Sequence, residues 1–114
     1  MKTEICAQRM LSRFRELSSI GQTDRGVCRE AFSPAWKEAA QRLCRMMEEE
    51  GLAAHIDPVG NVYGRLSGAC KDLPLVLLGS HLDTVTDGGL YDGAFGVAAA
   101  LEVACAIKHS GQRM

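Results

Sequence analysis

The sequence predicts an α/β fold, and three observations carry that prediction. The uninterrupted apolar run Leu75–Leu78 is typical of a strand that is covered on both faces. A glycine-rich loop follows it and leads into a second apolar segment, residues 94–107, which has the length of a helix. Elsewhere, apolar residues recur at spacings of three and four, the period of an amphipathic helix. Because open α/β sheets bind ligands beyond the carboxyl ends of their strands, the glycine-rich loop is the first candidate for a site.

The first half of the chain predicts two helices. Residues 3–18 form the first, and one face of it carries Cys6, Met10, Phe14 and Leu17, with Ile5 and Leu11 beside them. Residues 21–32 contain glycines and charges and predict a loop. Ser33 and Pro34 then start the second helix, as a hydroxyl N-cap followed by proline at the first helical position. The apolar stripe of this helix is Trp36, Ala39, Ala40, Leu43, Met46 and Met47.

The second helix ends at Glu48-Glu49-Glu50-Gly51. Three acids at a helix C-terminus oppose the macrodipole, so we expect this end to be frayed and exposed to solvent. Residues 53–57 and 61–66 predict a hairpin around Pro58-Val59-Gly60 at a sheet edge. Residues 75–80 predict the buried strand, and residues 93–108 predict a last helix whose small Ala98–Ala100 stripe packs on the sheet.

Composition excludes several classes of protein. The 114 residues suffice for one domain, and 46% hydrophobic and 24% charged residues are ordinary for a soluble protein. The net charge of −1 gives no nucleic-acid footprint, and no apolar run approaches a membrane span of roughly 20 residues. The N-terminus is charged where a signal peptide would be apolar, so we expect a cytoplasmic protein.

The five cysteines show no CxxC pair, which predicts reduced thiols and neither a disulfide framework nor a cysteine-rich zinc site. Three of them lie in helical patterns and are expected to be small buried hydrophobic residues: Cys6, Cys44 and Cys105.

Three side chains of the glycine-rich loop suit a metal site. His81 directly follows the predicted strand, and Asp83 comes two residues later, so both side chains are expected to point the same way. Asp83 can then accept the imidazole N–H and fix the tautomer. Asp92 has two competing roles: it can cap the last helix, or it can give one oxygen to each of two metal ions. Asp87 is expected to form a turn.

These motifs resemble the M20 family of metallo-amidohydrolases, in particular its carbamoylase branch. That branch comprises N-carbamoyl-L-amino acid hydrolases, allantoate amidohydrolases and ureidopropionases. The likeness lies in GSHLDTVTDGGLYDGAFG at residues 79–96 and continues upstream in residues 31–34, 47–51 and 57–65. The short direct connection from His81 to Asp92 favours this branch over the carboxypeptidase and deacylase branches.

The resemblance implies that residues 1–114 are the N-terminal portion of a zinc-peptidase-like, three-layer α/β catalytic domain with a mixed sheet, without the lid and dimerisation domain. It makes His81 a metal ligand, Asp92 the bridging ligand and Asp83 the catalytic-site carboxylate behind His81. Two divalent ions (Zn²⁺, Mn²⁺, Co²⁺ or Ni²⁺) would bind in the intact site, whose other ligands and general base would lie beyond residue 114. A cis peptide is expected after Asp92.

The implied parent protein is a dinuclear-metal hydrolase that acts on non-peptide C–N bonds in linear amides and amidines. Its substrate would be a small N-carbamoyl-L-amino acid or ureido acid such as allantoate, and the parent would be a homodimer. The 114-residue chain itself is expected to be inactive and to self-associate through residues 73–78.

Two alternatives remain at this stage. One is a non-catalytic truncated remnant. The other is an anion- or nucleotide-binding α/β domain in which the loop before the last helix cradles an anion. Against the second, the chain has no GxGxxG or GxxxxGK[ST] sequence, and Asp87 and Asp92 would repel phosphate.

Overall fold

The computed structural model describes residues 2–114 and contains, within them, three helices and one antiparallel hairpin. The elements are α1 (Ala7–Ser19), α2 (Pro34–Glu49), β1 (Ala53–Ile56), β2 (Val62–Arg65) and α3 (Ala94–Ser110). Their order confirms the predicted α/β class. No helix in the described part of the chain is long and apolar enough to span a membrane.

Helix α2 begins where the sequence predicts. The Ser33 hydroxyl accepts a hydrogen bond from the Trp36 amide at 3.2 Å, and Pro34 occupies the first helical position. The predicted stripe faces inward, with its central members buried and its ends half-buried. The buried members are Ala39, Ala40, Leu43 and Met46.

The hairpin is also confirmed, with Ala53 opposite Arg65 and Ile56 opposite Val62. Its turn is held by Asp57, whose Oδ1 accepts hydrogen bonds from the Val59 amide at 3.0 Å and from the Asn61 amide at 2.9 Å. These bonds mimic a backbone turn and fix where the chain reverses.

Helix α1 starts at Ala7, four residues later than predicted. Residues 2–6 lie outside the helix, and Ile5 is 54% exposed. Phe14 and Leu17 are buried as expected. The main core joins all three helices to the start of the hairpin. It comprises Leu17, Leu43, Met46, Leu52, Val97, Leu101 and Cys105.

All five cysteines are free thiols; of the three predicted to be buried, Cys105 is buried, whereas Cys6 and Cys44 are only half-buried.

The predicted buried strand at residues 75–80 is wrong. Leu75, Val76 and Leu77 are 74%, 75% and 81% exposed, and no backbone hydrogen bond joins residues 74–80 to another described residue. A strand exists only when a neighbouring strand accepts and donates its ladder bonds, and no described strand lies beside this segment. Residues 75–78 have the apolar pattern of a strand, but no described strand is there to pair with them.

Helix α3 ends at Gly111, which has the left-handed φ of +72° typical of a helix C-cap. The small residues of α3 were expected to pack on a sheet. Instead Ala94 and Ala98 are buried against Phe14 of α1, because no strand covers that face in the described residues.

A buried carboxylate, which the sequence analysis did not single out, holds α1 against α3. The side chain of Glu102 is fully buried on α3. Its oxygens accept hydrogen bonds from the Cys6 amide at 2.7 Å, from Arg9 Nε at 2.9 Å and from Arg13 Nη1 at 3.4 Å. Burial raises the pKa of Glu102, but these hydrogen bonds and the two arginine charges outweigh it, so the pKa lies below its ordinary value.

Glu50 belongs to the same charge cluster, so the expected solvent-exposed end of α2 is wrong for this residue. Its carboxylate pairs with Arg13 and lies 3.3 Å from Nε2 of His109, and its side chain is only 19% exposed. Lys108 donates to the Glu50 carbonyl. Arg13 of α1 and Lys108 of α3 thus place positive charge at the acidic end of α2, whereas Glu48 and Glu49 do remain exposed.

Replacing Glu102 by leucine should lower the free energy of unfolding by about 3 kcal/mol, because two arginines and an amide would lose their shared acceptor. Since the pKa of Glu102 is lower in the folded than in the unfolded chain, this stabilisation is complete above the unfolded pKa of about 4.3 and is lost as the pH falls through the folded pKa. Urea unfolding at pH 7 and at pH 3 measures both effects. The control is Glu16→Gln, which removes the exposed Arg42 pair and should cost less than about 1 kcal/mol. Equal losses for the two variants would contradict the assignment.

The exposed apolar segment should make the isolated chain self-associate, because unpaired, uncharged strand-forming segments pair with other chains. Leu77→Lys should lower the mass measured by light scattering at low micromolar concentration towards that of a monomer. Val59→Lys, at another exposed apolar residue in the hairpin turn, should leave the mass unchanged. A wild-type chain that is already a dispersed monomer would refute the prediction.

Candidate metal centre

The glycine-rich loop is held by the loop that follows α1. Val27, which is fully buried, exchanges two backbone hydrogen bonds of 2.9 Å with Gly88. Two residues further on, the Arg29 amide donates to Thr84 Oγ1 at 2.9 Å, and the Thr84 amide donates to the Arg29 carbonyl at 3.0 Å. Backbone pairing with residues 27–29 therefore takes the place of a sheet in positioning the loop.

The guanidinium of Arg29 lies beneath the same loop and is bonded to backbone carbonyls. Nε donates to the Leu82 carbonyl at 2.8 Å, and Nη1 donates to the carbonyls of Leu17 and Ile20 at 3.1 and 2.7 Å. Burial lowers the pKa of Arg29, while the charge of Asp83 opposes that shift. Asp83 is therefore the carboxylate that acts electrostatically on this cation.

His81 is turned back onto its own loop. Its Nδ1 lies 3.0 Å from the backbone oxygen of Asp83 and 3.6 Å from the Asp83 carboxylate. Because a carbonyl oxygen can only accept, the 3.0 Å contact requires the proton on Nδ1. The neutral imidazole then has its free lone pair on Nε2. Asp83 is the residue predicted to contact the His81 ring, but the contact is made by its backbone oxygen. Its carboxylate, which was predicted to accept the proton, lies just outside hydrogen-bond range.

Asp92 lies on the other side of the ring, with Oδ2 at 3.7 Å from His81 Nε2. Its side chain is 80% exposed. The alternative role as N-cap of α3 is wrong, because Gly93 is the N-cap and no side chain caps the helix. The expected cis peptide after Asp92 is also absent, since all peptide bonds of the described residues are trans.

Gly93 allows the imidazole to approach. A Cβ atom at this position would lie 2.6 Å from His81 Nδ1 and 2.7 Å from Cε1, closer than any van der Waals contact. Its φ of +73° also strains every residue except glycine. The ring of His81 is therefore packed directly on the start of α3.

These three side chains fit part of a metal site. Metal–nitrogen and metal–oxygen bonds are about 2.0–2.2 Å long, so two ligand atoms of one ion lie up to about 4 Å apart. The 3.7 Å between His81 Nε2 and Asp92 Oδ2 meets that condition. Within residues 2–114, however, no group of three or more His, Cys, Asp or Glu residues could hold a metal by itself. The ligand roles of His81 and Asp92 and the catalytic role of Asp83 stay predictions.

The turn between the two parts of the site contains Asp87, whose φ of +53° fits the predicted turn former. Cys28 and Asp87 contact each other at 3.4 Å, and Thr86 donates to Glu30 at 2.7 Å. The sequence resemblance places Val27 in a loop that leads towards the site, but it does not single out Arg29, Glu30 or Cys28. Their importance follows from burial in the folded chain, where Val27 and Arg29 alternate with half-buried neighbours, and no local sequence pattern marks it.

Comparison with known proteins gives the chemistry of the relatives. The family model of peptidase family M28 matches residues 61–114. The N-carbamoyl-L-amino-acid amidohydrolase of Pseudomonas sp. (strain NS671) is 40% identical over 96% of this chain and 27% of its own length. The allantoate amidohydrolase of Escherichia coli (strain K12) is 42% identical over 80% of this chain and 24% of its own length.

Solved structures agree with the sequence relatives. The hydantoinase/carbamoylase family amidase from Burkholderia ambifaria matches with a TM-score of 0.89 and 34% identity, over 96% of this chain and 27% of that one. The chain thus spans about a quarter of the length of the relatives it matches. The resemblance to the carbamoylase branch is confirmed: in sequence and in structure, the chain is related to the N-carbamoyl-L-amino acid and allantoate amidohydrolases.

Proposed function

We propose that this chain carries the first part of a dinuclear metal site in an amidohydrolase that cleaves linear C–N bonds of N-carbamoyl-L-amino acids or related ureido acids such as allantoate. The observation that carries the proposal is the arrangement of His81, with Nδ1 bonded to Asp83 and Nε2 directed to the Asp92 carboxylate at 3.7 Å. The names of the relatives support the substrate class.

His81 is prepared to act as a nitrogen ligand. The Asp83 carbonyl holds the proton on Nδ1, which leaves Nε2 unprotonated on the side of Asp92. The Asp83 carboxylate, 3.6 Å from Nδ1, places a negative charge behind the ring, on the side away from Nε2. This is the role we assign to Asp83 in catalysis.

Asp92 is suited to bridge two ions. Its carboxylate accepts no hydrogen bond from any described residue, so both oxygens are available, and it directly precedes Gly93, the N-cap of α3. When bound, the two ions would polarise the substrate carbonyl and activate a water molecule as the nucleophile. Zn²⁺, Mn²⁺, Co²⁺ and Ni²⁺ all accept imidazole and carboxylate ligands.

The remaining ligands and the general base are proposed to come from the parent protein, because the described residues supply only the two ligands above. The parent would be a homodimer acting on a small-molecule substrate. The chain by itself would lack a complete site.

Metal binding by the isolated chain should be weak, because tight zinc sites normally use three or four protein ligands. Calorimetric titration with Zn²⁺ should give a dissociation constant weaker than micromolar, and His81→Ala or Asp92→Asn should abolish the binding. The matched control is His55→Ala, because His55 stacks on Tyr63 of the hairpin away from the loop. Submicromolar binding, or equal loss in the control, would contradict the assigned ligands.

The isolated chain should not turn over N-carbamoyl-L-amino acids or allantoate, with or without added Mn²⁺ or Zn²⁺, because its described residues supply at most two of the proposed ligands and no recognisable general base. A steady-state assay for released ammonia and amino acid measures this. Turnover that His81→Ala abolishes would show that the chain is an enzyme on its own and would overturn the proposal.

A further inference from the structure

We propose that Arg29 is a positioning residue of the candidate metal centre: its guanidinium holds the peptide between His81 and Asp83 so that the imidazole faces Asp92. The inference rests on the proposed metal role of His81 and Asp92, because only that role gives the orientation a function. Arg29 itself touches none of these three side chains through a hydrogen bond.

The geometry makes Arg29 a clamp between two elements. Nε donates to the carbonyl of Leu82, the residue between His81 and Asp83, at 2.8 Å. Nη1 donates to the carbonyls of Leu17 and Ile20, at 3.1 and 2.7 Å, where α1 ends. One planar group therefore fixes the middle of the site loop to the end of a packed helix.

The burial of Arg29 indicates a specific requirement. The residue is only 1% exposed, yet none of its hydrogen-bond acceptors is a carboxylate. Burying a charge without a directly paired opposite charge is costly, and here only carbonyl dipoles and the more distant Asp83 charge offset it. A planar fork suits this arrangement, because it directs several N–H groups at fixed angles, which the ammonium of lysine does not.

The consequence for the site follows from the Leu82 carbonyl. Its direction sets the plane of the peptide that leads into Asp83, and the next carbonyl, that of Asp83, accepts the Nδ1 proton of His81 at 3.0 Å. If the guanidinium is lost, the Leu82 carbonyl is free to rotate, and His81 loses the orientation that directs Nε2 to Asp92.

The side chain of Arg29 can be tested separately from its backbone. The backbone bonds between Arg29 and Thr84, and the bond from Thr84 Oγ1 to the Val27 carbonyl at 2.9 Å, hold the loop independently of the guanidinium. A side-chain variant should therefore leave the loop attached and change its local orientation.

The experiment uses the full 114-residue chain with ¹³C-labelled histidine, in the Leu77→Lys background to limit association. Only three histidines give signals. The metal-free wild-type sequence should show a nuclear Overhauser effect between the His81 ring and Gly93, because the two are in contact. Arg29→Gln and Arg29→Lys should weaken it strongly. Leu43→Ala, which destabilises the core elsewhere, should retain it.

A second arm uses Mn²⁺ alone and follows paramagnetic broadening of the His81 signals. Loss of a group that orients a ligand costs about 10–100-fold in metal affinity, so the Arg29 variants should require at least tenfold more Mn²⁺. An unchanged His81–Gly93 contact in the Arg29 variants overturns the positioning role. If Arg29→Gln fails to fold, the His81–Gly93 contact measured in Arg29→Lys decides whether Arg29 is a positioning residue. If Mn²⁺ does not broaden His81 in the wild type while the Arg29 variants still lose the contact, the metal proposal fails and the positioning of His81 stands.

Discussion

The buried ion cluster around Glu102 is the interaction on which the geometry of this chain depends. It joins the N-cap amide and two arginines in the first half of α1 to a carboxylate in the middle of α3. The contacts that hold the candidate site depend on this packing of α1 against α3. The end of α1 supplies the carbonyls that hold Arg29, Arg29 holds Leu82, and the start of α3 supplies the glycine on which His81 packs. The His81 loop is therefore held by α1 on one side and packs on α3 on the other.

The polar side chains of the Glu102 cluster, of Arg29 and of the candidate site differ in their burial. Glu102 and Arg29 are buried and have fixed partners, so each constrains the backbone around it. His81 and Asp92 are half or more exposed, and their only contact with each other, at 3.7 Å, is longer than a hydrogen bond. Buried polar groups with fixed partners beneath exposed side chains suit the proposed metal site, because supporting groups of this kind orient metal ligands.

The loop keeps its shape although the expected strand before it is not formed. Residues 74–80 make no backbone ladder, yet the geometry from His81 onward is defined, because pairing begins at Thr84 and Gly88 with residues 27–29. The site therefore depends on the loop after α1 more than on the apolar run that precedes it. This explains how a chain spanning a quarter of its relatives' length brings His81, Asp83 and Asp92 together.

The sequence by itself determined the helices and the hairpin, because each follows from a local rule: helical periodicity, a Ser-Pro start, and turn residues at Pro58-Val59-Gly60. It also named His81, Asp83 and Asp92 as candidate site residues, whose roles stay predictions. Tertiary structure alone decided the rest. Burial of Glu102 and Arg29 cannot be predicted from their neighbours. The partners of Glu102 lie 89 to 96 residues away in sequence, and the bond that ties Arg29 to the site loop, to Leu82, spans 53 residues. The apolar run at residues 75–78 is also not explained by local sequence alone. Its pattern is that of a strand, but a strand forms only by hydrogen bonding to a second strand, and no described strand lies beside it.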